Sequence, residues 1–180
     1  MFEALIFAVY SLGFRARAAR EIDDGGDARL DKIVKLIGEC RYGIHDLSRA
    51  ELDPITNLAR FNMPFELGIF LGGRRFGDKD QKKKNIMVLD VQPFRYRNFI
   101  SDLAGIDPHA HNDDAETAVR LVRDWLRNVS RRTLPSANIV AEQYQRFVGD
   151  LPDIAARENF DLHNIPYVDF EWIVVEWLKA

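Results

Sequence analysis

Residues 41–47 read Arg41-Tyr42-Gly43-Ile44-His45-Asp46-Leu47, a short β-favouring run with an acid near its end. A polar loop follows, and then Met63-Pro64-Phe65-Glu66-Leu67-Gly68-Ile69-Phe70-Leu71-Gly72-Gly73, in which Glu66 is the only charge. The first run is predicted to be a strand. The second is predicted to be a helix with Met63 as its cap and Pro64 at its first position. Upstream, Phe2, Leu5, Ile6, Val9, Tyr10 and Leu12 form a helical stripe over residues 1–12 that stops at Gly13. Residues 14–22 alternate as a strand would, Asp23 to Asp27 make a tight connection, and Leu30, Ile33, Val34, Leu36 and Ile37 mark another helix. Downstream, residues 84–89 read as a buried strand, 94–103 as a short helix and 115–129 as an amphipathic helix. Such alternation predicts an α/β domain, a parallel sheet with helices on both faces. After Arg132 the strand signals cease, and 139–147, 154–159 and 168–178 read as helices. The expected division is therefore an α/β domain over 1–132 and an α-helical extension over 133–180.

The chain has 180 residues, 47% hydrophobic and 29% charged, with a formal net charge of -3. That balance gives no global electrostatic footprint for nucleic acid, and none is expected as a partner. The basic runs Lys82-Lys83-Lys84 and Arg131-Arg132 are read as solvated charges at element boundaries. Cys40 is the single cysteine, which excludes an intrachain disulfide and a cysteine-rich zinc site. The apolar start, residues 1–13, contains Glu3 and is too short to span a bilayer, so a cytoplasmic location without membrane contact is expected.

In parallel α/β sheets, reactive groups collect at the carboxyl ends of the strands. Three segments are expected there: Asp23 to Asp27, His45 to Arg49, and the start of the Glu66 helix. A carboxylate in the first turn of an apolar helix feels opposing influences, because the helix end favours its ionised form and burial disfavours it. Such an environment prepares a nucleophile or a general base. A structural reading stands beside it: at the third helical position Glu66 could instead reach back to an unpaired backbone N–H.

The succession Ile44-His45-Asp46-Leu47-Ser48, loop, Phe65-Glu66-Leu67-Gly68, then Ile86-Met87-Val88-Leu89 resembles the nucleoside 2-deoxyribosyltransferase-like group. The resemblance covers residues 14–89. It implies a three-layer flavodoxin-like fold related to TIR domains, and cleavage or transfer at the N-glycosidic bond of a nucleoside, nucleotide or NAD-like dinucleotide. Glu66 would be the catalytic carboxylate. Asp46 would hold sugar hydroxyls or a leaving base, with Asp23, His45, Ser48 and Asn62 completing the substrate-binding set and no cofactor or metal required. Asn62, Met63 and Pro64 stand where that group carries small residues. The group also has a central strand ahead of its first helix, for which residues 1–12 show no counterpart; the strand at 41–47 is then expected to pair directly with 14–22. A non-catalytic nucleotide-sensing or signalling module of TIR-like fold, and a protein-interaction module built on the helical last third, are the competing readings. Homo-oligomerisation is expected in either case.

Asp107-Pro108-His109-Ala110-His111-Asn112-Asp113-Asp114 sets two histidines one residue apart, which suits either a metal or a loop leading into a helix cap; the cap is preferred because no third ligand converges. Asp23-Asp24-Gly25-Gly26 is read as a turn, since its acids would repel a phosphate. Phe170, Ile173, Val174 and Trp177 share helical spacing and read as core.

Overall fold

Residues 42–46 form the strand β1 (Tyr42–Asp46), and alternate side chains are buried along it. The computed structural model describes residues 1–180 except 22–25, 27, 51, 53 and 104. The chain divides into two compact units, Met1–Asp23 with Asp114–Ala180, and Asp24–Asp113. This differs from the division expected at residue 132.

The Asp24–Asp113 unit contains α2 (Arg29–Glu39), β1, α3 (Asn62–Phe76), β2 (Asn85–Asp90) and β3 (His109–Ala110). The strands form one parallel sheet in the order β1-β2-β3, with Ile44 opposite Met87 and Leu89 opposite His109. β1 and β2 are joined through α3, the usual way of connecting parallel neighbours. Gly43 lets α3 lie close: a Cβ there would come within 2.8 Å of the Phe70 ring. Leu47, Leu67, Val88 and Tyr96 form the buried core between helix and sheet. The predicted short helix at 94–103 is two 3-10 turns, Arg95–Asn98 and Ser101–Leu103, the first preceded by Phe94, whose φ is 60°. Lys84 corrects the reading of its basic run as solvated. It is buried, and its Nζ donates to the carbonyls of Ile37, at 2.5 Å, and Cys40 at the end of α2. The ammonium also lies 4.6 Å from the centre of the Phe70 ring, and burial lowers its pKa.

The other unit is helical: α1 (Phe2–Ser11), α4 (Ala115–Ser130), α5 (Ala137–Arg157) and α6 (Tyr167–Trp177). Phe7, fully buried, stacks on Phe147 at 5.0 Å and meets the rings of Tyr144 and Trp177, so α1 packs among the C-terminal helices. Val119, Val122, Trp125 and Leu126 form the buried stripe of α4, which packs on α1 and α5. One continuous α5 replaces the two helices expected at 139–147 and 154–159, and it carries Pro152 within it. The strand expected at 14–22 does not form. Residues 14–21 contain no strand and are not paired with β1. Their alternation has another cause: Ala16 is buried in the helical core, Ala18 packs against that core, and Arg17 pairs with Glu21 at 2.6 Å. No helix among the described residues is long and apolar enough to cross a membrane.

Candidate functional site

Strand alternation decides which of the expected residues meet. His45 turns toward α3 and packs edge-on against Phe70, with ring centres 5.3 Å apart. Both its ring nitrogens are buried without a partner among the described residues, and burial lowers its pKa to about 4, so the ring is neutral at pH 7. Asp46, the next residue, points to the opposite face of the sheet. Its Oδ1 accepts the Ser48 N–H at 3.0 Å and lies 3.3 Å from His111 Nε2.

His111 is wholly buried, and its Nδ1 accepts the N–H of Asp113 at 3.1 Å. The ring proton therefore resides on Nε2 and is donated to Asp46. The turn that brings the Asp113 N–H back is made by two consecutive residues of positive φ, Asn112 at 54° and Asp113 at 57°. The Asp46 side chain keeps 16% of its surface exposed, and its Oδ2 has no partner among the described residues. That oxygen is available to accept a hydrogen bond from a ligand.

Asp90, at the end of β2, is fully buried. Its Oδ1 accepts the Val91 N–H and the Nε of Arg95, each at 2.8 Å, while its Oδ2 has no partner among the described residues. Arg95 Nη2 also donates to the Leu47 carbonyl at 2.8 Å and the Ser48 carbonyl at 3.1 Å. One guanidinium thus ties the carboxyl ends of β1 and β2 together, just behind Asp46. Sequence reading missed Asp90, Arg95 and His111 as members of this cluster. The acid ending the second strand was a usable signal for Asp90; nothing local marked Arg95.

Glu66 lies elsewhere in helix α3 than expected. Phe61 is the cap, its carbonyl accepting the Phe65 N–H at 2.9 Å, and Pro64 is the third helical residue. Glu66 is therefore the fifth, beyond the first-turn N–H groups that lack an intrahelical partner, so the capping-box reading fails. The side chain is half-buried, and burial raises its pKa while Arg29 at the start of α2 pulls it back. It makes no hydrogen bond or ion pair with any described residue, Asp46 included. Asn62 is exposed at the first helical position, Ser48 is buried, and Asp23 lies outside the described residues. Asp114 caps α4 by accepting the Thr117 N–H at 2.7 Å. No group of three or more metal-ligating side chains converges among the described residues.

No protein-family model matches the chain, and no curated protein and no solved structure is significantly similar to it.

Proposed function

We propose that the chain cleaves or transfers at the N-glycosidic bond of a nucleoside, nucleotide or NAD-like dinucleotide, with Glu66 as the reacting carboxylate and Asp46 as the acceptor for sugar hydroxyls. The observation that carries this reading is the condition of Glu66: half-buried, raised in pKa by burial, and without a hydrogen-bonding partner among the described residues. A carboxylate spared such partners keeps its basicity and nucleophilicity. The unfilled Oδ2 of Asp46 at the carboxyl end of a parallel strand supports it, since ligands of open α/β sheets bind there. The parallel sheet with α3 crossing between its strands is read, on this proposal, as part of a flavodoxin-like layout.

As the C1′–N bond breaks, electrons leave with the base and positive charge develops on the sugar ring. The Glu66 carboxylate stabilises that charge, or closes a C1′–O bond that water or a second base then opens. Partial exclusion of water strengthens the attraction. A non-catalytic nucleotide sensor is the second reading, and one observation favours it: the two cavities described in this structure are lined by neither Glu66 nor Asp46.

The test is to incubate the purified chain with nucleosides, nucleotides and NAD, and to repeat it with Glu66→Gln. The enzyme reading expects base release that falls at least about a hundredfold in the variant, roughly 3 kcal/mol of barrier, with ligand binding retained. Binding without turnover in either protein supports the sensor. Undiminished turnover in the variant ends the assignment of Glu66.

A further inference from the structure

A cavity of about 330 Å³ lies between α3, β2 and residues 105–109. Leu71, Ile86, Val88 and Ile106 give it an apolar floor, with Val88 3% exposed. Arg74, Asp107 and His109 stand around it. None of the three side chains makes a hydrogen bond or ion pair with any described residue. An exposed guanidinium, an exposed carboxylate and a half-buried imidazole thus surround one apolar hollow, each free to meet a ligand.

We propose that this cavity binds a small zwitterion with an apolar arm, the chemistry of a free α-amino acid bearing an aliphatic or aromatic side chain. The argument is one of charge complementarity. A simple anion would satisfy Arg74 and be repelled by Asp107, and a simple cation would meet the reverse. A ligand carrying both signs satisfies both, its carboxylate taking the forked donors of Arg74 and its ammonium the Asp107 oxygens. His109 supplies a further polar contact of either sense. The apolar arm covers the floor and removes it from water. The volume falls at the lower end of small-molecule sites, which suits a ligand of this size. Arg74 follows Glu66 by eight residues, about 12 Å along the helix axis at 1.5 Å per residue, so this site stands independently of the glycosidic reading.

Isothermal titration of the full chain with L-leucine and L-phenylalanine tests this, using phenylacetate and phenethylamine as single-charge controls. Saturable binding of at least one amino acid is expected, with both controls weaker by about tenfold or more. Arg74→Gln and Asp107→Asn should each weaken binding by a similar factor; both residues are exposed, and melting curves confirm that the variants are folded. Glu66→Gln should leave binding unchanged, which separates this site from the other. Absence of saturable binding of either amino acid at millimolar concentration, binding indifferent to both cavity variants, or equal binding of phenylacetate would overturn the proposal.

Discussion

His111 donates its Nε2–H to Asp46 Oδ1 across 3.3 Å while its Nδ1 is held by the backbone of Asp113. A wholly buried imidazole with both nitrogens engaged has one tautomer, and imidazole nitrogen chemical shifts should report a protonated Nε2 and a bare Nδ1. His111→Leu should cost about 1–3 kcal/mol in denaturant titrations, because it strands the Asp113 N–H and removes a donor from Asp46. A Leu variant as stable as the parent would show that the pair is incidental.

His45 predicts a specific acid sensitivity. Its folded pKa, about 4, lies below the ordinary 6.5, so between those values the unfolded chain binds a proton that the folded chain refuses. Stability from this residue is whole above pH 6.5 and is lost as pH falls toward 4, by roughly 3 kcal/mol over that window. His45→Leu should flatten the stability profile between those limits. An unchanged slope in the variant would place the titrating group elsewhere.

Arg95 is the only described cation paired with the buried Asp90. Removing it leaves that carboxylate enclosed with neither oxygen matched by a charge, a change that costs about 3–5 kcal/mol in buried pairs. Arg95→Ala should lower the melting temperature sharply. Arg95→Ala with Asp90→Asn should recover part of the loss, and failure of the double variant to recover any would mean that the carbonyl contacts to Leu47 and Ser48 matter more.

Glu66→Gln separates two structural roles without any substrate. The folded pKa of Glu66 is raised, so as pH rises from the ordinary carboxylate value through the raised one, the folded state is progressively penalised for ionisation. Removing the charge should leave stability at pH 7 equal or higher. A helix-capping glutamate would instead lose about 1 kcal/mol, and thermal melts distinguish the two.

The sequence was most legible where a periodic pattern met a strong terminator. The strands at 42–46 and 85–90 and the helices starting at Ala115 and Tyr167 fell close to their predicted bounds. Residues 14–22 were misread because small buried residues alternating with arginines mimic strand periodicity, whereas here Arg20 and Arg132 lie over the rings of Phe2 and Phe14. β3 was missed because two residues, His109 and Ala110, leave no periodic trace. Within the candidate site, Asp46 and Glu66 stood out locally, but Arg95 meets Ser48 across forty-seven residues of chain, a pairing no window of sequence displays.

The Asp24–Asp113 unit is one continuous stretch, whereas the helical unit is split around it. Synthesis from the amino end therefore releases α1, with its apolar Phe7, long before α4 at Ala115 begins to supply its partners. The sheet can close while α1 is still waiting, and a ribosome-bound chain stopped ahead of Ala115 should bind a hydrophobic dye or a holding chaperone that the finished protein ignores. Moving the helix by circular permutation to follow α6 would abolish that wait, and should raise the refolding yield at high concentration.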